Sequence, residues 1–425
     1  MAQQPESTDL PQYSPHVAHE ASAFVEHTFT SGEDGKDKPA LTLKVQSRAP
    51  SVKYLPTFLG GEPVVGSVEL NLPKAVGIES VILMFKGIME TASVRNRDPL
   101  TFFKLHETLW DASKGDPKNF SSGNNKDIKL RGEYTWKFSV NLPKEVTFDD
   151  ENKYKEMNLA GTLPLPPQFS EKGSFSTMKY EMAVLVNHSS FFRSNQEVGT
   201  RYGYTPRSKP GPPSPLRQKA YSEGVPLLGP DADPEGWKIF SVDVQGKLFD
   251  AVDVGVKCSL ALATPLAYTH GSVLPCVLIL EGNNTQAIDI LSDVKSPSLG
   301  LFREFKTEWE VNQIGSMWGG TMEEWSSDDD RRVADARWWK PNDSLAEGSE
   351  SKQRILHGEI NIPLNIQPSF SFGNFFAKYR VELDPFKAAG FVAETKEKLL
   401  KVDVQITTDY AAGPKPKSYL PPAYN

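Results

Sequence analysis

The feature that most limits the fold of this chain is a long series of short apolar runs with a period of two. Clusters of glycine, proline and asparagine separate these runs. In residues 133–143 the apolar side chains fall on one face of an extended strand: Tyr134, Trp136, Phe138 and Val140. Similar runs lie at residues 62–73, 78–93, 101–110 and 178–188. This pattern predicts an all-β protein built from antiparallel sandwiches.

A second series of runs predicts a second sandwich of similar size. It occupies residues 237–249, 254–265, 272–283, 301–311, 355–366, 375–385 and 399–406. Helical periodicity is nearly absent, and residues 386–400 are the best short helical candidate. The length of 425 residues is enough for two or three domains.

The polar and proline-rich stretches divide the chain into predicted parts. Residues 201–234 contain eight prolines and few apolar side chains, which is typical of an interdomain linker. The predicted parts are a disordered arm over 1–38, an N-terminal sandwich over 39–200, the linker over 201–234, a C-terminal sandwich over 235–407 with a polar insert at about 315–352, and a disordered tail over 408–425.

Charge and apolar content exclude several classes of protein. The net charge is −7 and no basic stripe is visible, which argues against a nucleic-acid partner. No apolar run approaches about 18 residues, and the N-terminus lacks the basic start and apolar core of a signal peptide. We therefore expect a cytoplasmic protein. Cys258 and Cys276 each lie in an apolar run, which predicts buried, reduced thiols.

Signatures of catalysis are missing from the sequence. It contains no G-x-S-x-G, no H-E-x-x-H and no P-loop. His16 and His19 form an H-x-x-H pair in the arm, but two ligands do not make a metal site. We expect no catalytic residue, no cofactor and no metal.

Two internal segments each leave two interpretations open. Residues 212–217 read PPSPLR and fit the Pro-x-x-Pro-x-Arg pattern of an SH3 ligand, or they form a stiff spacer. Trp338 and Trp339 in the polar insert, with the acidic run 328–330, belong either to a solvated surface loop or to a docking epitope.

The last six residues, LPPAYN, contain a Pro-Pro-x-Tyr motif: Leu420, Pro421, Pro422 and Tyr424. Proline holds φ near −65° and has no amide hydrogen, so the segment is biased towards polyproline II before it binds. A WW domain packs such prolines between aromatic rings and takes the tyrosine in a second pocket. The motif predicts a WW-domain ligand.

A weaker form of the motif lies near the other end of the chain. Leu10, Pro11 and Tyr13 form Leu-Pro-x-Tyr, with one proline missing. This segment is either a second WW-binding site or a plain disordered stretch. Two working sites would let a ligase with several WW domains bind both ends of the chain, which can raise avidity roughly 10²–10⁴-fold.

The order and spacing of several motifs resemble the arrestin family, across residues 39–407. In the first half the matching residues are Gly61, Glu62, Val64, Gly66, Val68, Leu70, Ile78, Val81, Leu83, Phe85 and Gly87. Further matches are Leu163, Pro164, Leu165, Pro166, Pro167, Phe169 and Tyr180, and in the second half Pro265, Gly271, Leu274 and Pro275. With the terminal motif, the chain is most similar to a fungal-type α-arrestin, an arrestin-related trafficking adaptor.

This resemblance implies two tandem arrestin-like domains of the immunoglobulin-type β-sandwich class. It also implies an adaptor that links a WW-domain HECT-type ubiquitin ligase to the cytosolic face of plasma-membrane transporters or receptors. The cargo would be ubiquitinated and internalised, and the adaptor would only associate peripherally with the plasma membrane or endosomes. The alternative is a structural sorting subunit, similar to the arrestin-like component of retromer, which recruits no ligase.

Overall fold

The computed structural model describes residues 24–31, 40–91, 99–118, 129–149, 157–170, 176–189, 194–307, 329–341 and 352–422. Within these residues the chain is mostly strand and has two α-helices, so the all-β prediction is confirmed. Two large curled sheets form two domains, again as predicted. Neither described helix is long and apolar enough to cross a membrane.

The described part of the N-terminal domain contains ten strands. They are β1 (Val25–Ser31), β2 (Ala40–Ser47), β3 (Thr57–Leu59), β4 (Pro63–Thr91), β5 (Leu100–Asp111), β6 (Lys129–Asn141), β7 (Glu145–Phe148), β8 (Gly161–Pro164), β9 (Ser176–His188) and β10 (Gln196–Thr205). The long strand β4 belongs to both layers of the sandwich. Its first half pairs with β2 and β6, and its second half pairs with β5 and β9.

The described residues of the linker and the C-terminal domain form both helices and eleven strands. The helices are α1 (Pro215–Glu223) and α2 (Thr285–Leu291). The strands are β11 (Trp237–Leu248), β12 (Val252–Ala263), β13 (Ala267–Thr269), β14 (Val273–Gly282), β15 (Leu299–Thr307), β16 (Asp329–Trp339), β17 (Gln353–Asn361), β18 (Phe370–Phe372), β19 (Phe375–Leu383), β20 (Phe391–Ala393) and β21 (Leu400–Thr407). Strand β16 pairs with β15 at one end and with β17 at the other, so it joins the two layers.

The period of two in the sequence corresponds to the inward face of each strand. In β4, Val81, Leu83 and Phe85 are fully buried, whereas Ile82 and Met84 between them are only partly buried. Each large apolar side chain that is buried in this way stabilises the fold by about 1.5–3 kcal/mol. Cys258 and Cys276 are buried free thiols, as predicted.

The two domains are joined by a cluster of phenylalanines. Phe372, at the end of β18, packs against Phe102 and Phe148 of the N-terminal domain, with ring centroids 5.2 and 5.8 Å apart. Phe169 stacks on Phe305 with centroids 4.3 Å apart. These side chains are buried in one continuous core with the N-terminal sandwich. The cluster fixes the placement of one domain on the other.

Three predicted boundaries are wrong in the described residues. Strand β1 lies inside the stretch predicted as a disordered arm, because it pairs along its whole length with β2. Strand β16 lies inside the predicted surface loop, and Trp338 and Trp339 at its end are buried. The helical candidate over 386–400 instead holds β20 and the first residue of β21.

The linker also differs from the prediction. Its first residues complete β10, and its middle forms α1, so only the remainder lacks regular structure.

Candidate functional site

The last described stretch of the chain, residues 408–422, lies along the linker and the C-terminal domain. The amide of Ser208 donates to Thr408 Oγ1 over 2.8 Å, and the amide of Asp409 donates to the Ser208 carbonyl over 2.9 Å. The guanidinium of Arg207 donates from Nε to the Asp409 carboxylate over 2.7 Å. The prediction of a disordered tail is therefore wrong for this stretch.

The surface under the tail is built by α1, whose ends follow from the local sequence. Ser214 caps the helix, since its side chain accepts a hydrogen bond from the amide of Arg217 over 3.2 Å. Pro215 occupies the first helical position, where the missing N–H has no partner to lose. Gly224 follows the last turn in the left-handed conformation, with φ of 71°, which ends the helix.

Arg217 holds α1 against the C-terminal domain. Its buried guanidinium donates to the carbonyl of Thr264 over 2.9 Å and to the carbonyl of Gly236, and it lies 4.7 Å from the ring centroid of Trp237. Burial lowers the pKa of Arg217. An SH3 ligand needs an extended chain with an accessible arginine. The SH3-ligand interpretation of residues 212–217 is therefore wrong, because the helix begins within them and buries the arginine.

Two tyrosines join the tail to α1. The rings of Tyr419 and Tyr221 stack, with centroids 6.3 Å apart and 22° between their planes. The hydroxyl of Tyr419 donates to the carbonyl of Ala220 over 3.3 Å. Burial raises the pKa of Tyr221 to about 12, so its phenol stays neutral near pH 7. The contact is thus an uncharged aromatic one.

A buried carboxylate on β17 receives the tail. Glu359 is only 2% exposed; Ser418 Oγ donates to its Oε1, and the amide of Tyr419 donates to its Oε2 over 3.0 Å. Side chains alternate along β17, and Leu356 and Ile360 face the core, so Glu359 lies on the outer face of the sheet. It is buried there because other segments, including the tail, cover it.

Uncharged hydrogen-bond donors stabilise the buried carboxylate of Glu359. None of the ion pairs among the described residues includes Glu359. A buried charge without hydrogen bonds destabilises a fold by several kcal/mol, so the two donors from the tail are its main compensation in this part of the chain.

A groove of about 590 Å³ lies beside Glu359. Its lining is mostly apolar and aromatic: Val225, Pro226, Leu227, Leu228, Gly229, Trp237, Pro275, Cys276, Val277, Trp339, Pro341, His357, Gly358, Glu359, Tyr419 and Pro421. Two members come from the tail, so the tail forms part of the wall. Burial lowers the pKa of His357, which favours the neutral imidazole.

The structure describes three residues of the predicted terminal motif, and one of them, Pro421, lines this groove. Leu420 and Pro421 are half-buried, and Pro422 is exposed. Tyr424 lies outside the described residues. The second predicted motif, Leu10, Pro11 and Tyr13, lies outside them as well, as do both arm histidines, His16 and His19.

Sequence reasoning missed the residues that hold the tail. Glu359 occupies an outward position in an ordinary alternating strand, and no local signal distinguishes it from a solvated glutamate. Trp339 was assigned to a surface loop or an epitope, whereas it is buried at the end of β16 and lines the groove. The helix under the tail did have a signal, because serine, proline and glycine stand at the spacing of a capped nine-residue helix.

No protein-family model matches the chain, and no curated protein matches it. Among the described residues, no group of three or more histidine, cysteine, aspartate or glutamate side chains is arranged to hold a metal ion.

Proposed function

We propose that this chain is an adaptor that recruits a WW-domain HECT-type ubiquitin ligase to membrane-protein cargo. The observation that carries the proposal is the Pro-Pro-x-Tyr motif at the end of the tail, with Pro421, Pro422 and Tyr424 as its contacts and Leu420 before it. In the docked tail Pro422 is exposed, whereas Leu420 and Pro421 are half-buried.

The chemistry of the motif suits this role. Two consecutive prolines restrict the backbone before binding, so little conformational entropy remains to be lost. The prolines pack between aromatic rings of the WW domain, and Tyr424 enters a second pocket. The ligand is short, so we expect micromolar affinity, which corresponds to about −8 kcal/mol.

The two-domain body supplies the other half of the adaptor. The chain resembles α-arrestins, and this resemblance supports binding of the body to cytosolic segments of plasma-membrane transporters or receptors. The phenylalanine cluster between the domains supports a rigid platform. An adaptor of this kind needs no catalytic group, because it raises the effective concentration of ligase at its cargo.

Binding to a tandem WW-domain fragment tests the ligase side. Tyr424→Ala, in the full chain and in a synthetic peptide of residues 414–425, should weaken binding more than about tenfold, because the tyrosine pocket stays empty. The matched control in the full chain is Tyr54→Ala, since Tyr54 is 61% exposed and far from the tail in sequence. Equal affinity of the parent and Tyr424→Ala would remove the main support for the adaptor.

The second motif is tested in the same assay. Tyr13→Ala should weaken binding of the full chain to a tandem WW fragment but leave binding to a single WW domain nearly unchanged, since only the tandem fragment can use both ends. An unchanged affinity for the tandem fragment would assign Leu10, Pro11 and Tyr13 to a plain segment.

Transfer of ubiquitin tests the coupling of both halves. A HECT-type ligase with its WW domains should modify this chain, and cargo bound to it, faster than it modifies the Tyr424→Ala variant. The same modification rate for both chains would show that the motif does not deliver the ligase.

A further inference from the structure

We propose that the docked tail hides its own ligand motif, and that the Glu359 latch, formed by Ser418, Tyr419 and Glu359, holds it closed. This inference rests on the function proposed above and adds its regulation. The WW domain and the C-terminal domain compete for the same few residues of the tail.

The competition follows from the position of Pro421. This proline is half-buried and forms part of the groove wall, together with Trp237 and Trp339. A WW domain also needs the faces of the motif prolines, which it packs against its own aromatic rings. One proline cannot present the same surface to both partners, so the motif must leave the groove before a WW domain engages it fully.

The latch is the strongest polar contact at the end of the tail. Hydrogen bonds to an ionised carboxylate are roughly twice as strong as those between neutral groups. Both donors to Glu359 come from consecutive residues, Ser418 and Tyr419, directly before the motif. Loss of this contact removes the charge-assisted hydrogen bonds next to Pro421.

Opening does not require the whole tail to detach. The beginning of the tail is held by separate contacts, from Arg207 to Asp409 and from Thr269 Oγ1 to the Asp409 carbonyl over 2.8 Å. Residues 417–422 can therefore swing away from the groove while residues 408–410 keep their contacts. The latch is a local switch between the groove and solvent.

The same contact makes the latch sensitive to negative charge. No ion pair among the described residues includes Glu359, whose cross-strand neighbour on β16 is Arg337, and the Ser418 hydroxyl lies within hydrogen-bond distance of its carboxylate. A negative group on Ser418 would place two like charges side by side and favour release. Transfer of the γ-phosphoryl group of ATP to Ser418 Oγ, with ADP and a proton as the other products, would supply this charge. Ser418 is an exposed residue on the tail.

The test compares the affinity of a single WW domain for the full chain and for the peptide of residues 414–425, by fluorescence anisotropy. The apparent Kd of the full chain equals the intrinsic Kd divided by the fraction of open tail, so the full chain should bind at least about tenfold more weakly than the peptide. Glu359→Ala and Ser418→Asp should bring the full chain to within about twofold of the peptide.

The matched control is Ala412→Asp, which adds the same charge at an exposed tail position without contact to Glu359. This variant should keep the affinity of the parent chain. If the parent chain already binds as tightly as the peptide, or if Glu359→Ala and Ser418→Asp leave its affinity unchanged, the latch is refuted.

Hydrogen exchange of the Tyr419 amide separates the two proposals, because it requires no WW domain. This amide should be protected in the parent chain and exchange faster in both latch variants, while Ala412→Asp leaves it protected. If the amide behaves in this way but the peptide does not bind a WW domain, the proposed function fails and the docked tail stands. If the peptide binds but the amide of the parent exchanges freely, the latch fails and the ligand motif stands.

Discussion

Truncation of Phe372 to alanine should weaken the join between the two domains. The side chain is 1% exposed and belongs to β18 of the C-terminal domain. Its ring meets Phe102 and Phe148 of the N-terminal domain edge-on. Removing the ring leaves a cavity at the domain interface, where neither sandwich can easily collapse to fill it.

The magnitude follows from burial and ring geometry. A fully buried phenylalanine contributes about 1.5–3 kcal/mol through transfer from water. Each edge-on aromatic pair adds about 0.5–1.5 kcal/mol. We therefore expect Phe372→Ala to lower the free energy of unfolding by about 3–5 kcal/mol, as for other phenylalanine truncations in cores. The stacked pair of Phe169 and Phe305 remains, so the domains stay in contact.

The assay is urea unfolding followed by tryptophan fluorescence, with calorimetry beside it. The unfolding midpoint of Phe372→Ala should fall, and Tm should drop on the order of 10 °C. A double-mutant cycle with Phe102→Ala isolates the contact across the interface, since the two truncations should not be additive. The control is Phe249→Ala, because that side chain is 58% exposed.

Two results would refute this explanation of the domain join. One is a loss of stability for Phe372→Ala no larger than for Phe249→Ala. The other is strict additivity of Phe372→Ala and Phe102→Ala, which would show that the rings do not stabilise each other across the interface.

Three further predictions concern buried groups of the C-terminal half. Arg217→Met should lower the free energy of unfolding by about 2–4 kcal/mol, because two carbonyl groups lose their donor. Urea unfolding measures this change, and a loss below about 1 kcal/mol would contradict the prediction. Burial raises the pKa of Cys258 to about 12. Alkylation of this thiol in the native chain should therefore stay slow at pH 9 and become fast in urea. A native thiol that reacts as quickly as the unfolded one would be evidence against burial. The raised pKa of Cys258 also sets how the free energy of unfolding depends on pH. The thiol of the unfolded chain loses its proton near pH 8.5, so the contribution of the buried thiol to stability is complete below that pH and declines as pH rises towards about 12. Urea titrations at pH 7 and 10 would detect this decline.

The sandwich architecture could be predicted from the sequence because it depends on local alternation. Val81, Leu83 and Phe85 fall on one face of any extended strand, and burial of that face requires a second layer. The division into two domains followed from the break in this alternation between residues 201 and 234. Both conclusions use only neighbours along the chain.

The site depends on contacts between distant segments, which alternation does not encode. Glu359 and Ser418 are 59 residues apart, and Glu359 would be an ordinary exposed glutamate without the segments that cover it. Abundant prolines concealed α1, although Ser214, Pro215 and Gly224 stood at capping positions. The polar residues around Trp338 and Trp339 favour a loop or an epitope, whereas both side chains end a strand that pairs with β17 and both are buried.

The docked tail changes how the affinity of a short linear motif should be understood in this chain. A peptide reports the intrinsic affinity of Pro-Pro-x-Tyr, whereas the full chain also has to open the Glu359 latch. Each tenfold decrease in the open fraction weakens apparent binding by 1.4 kcal/mol at 25 °C.

Because coupling between two binding events is reciprocal, any partner that favours the released tail strengthens WW binding, and a bound WW domain strengthens the binding of that partner by the same factor. Glu359 belongs to a strand of the body, so a partner that alters the outer face of β17 acts directly on the exposure of the motif. The two halves of the proposed adaptor are then coupled through one carboxylate, and the body that would hold cargo also controls access to the ligase motif.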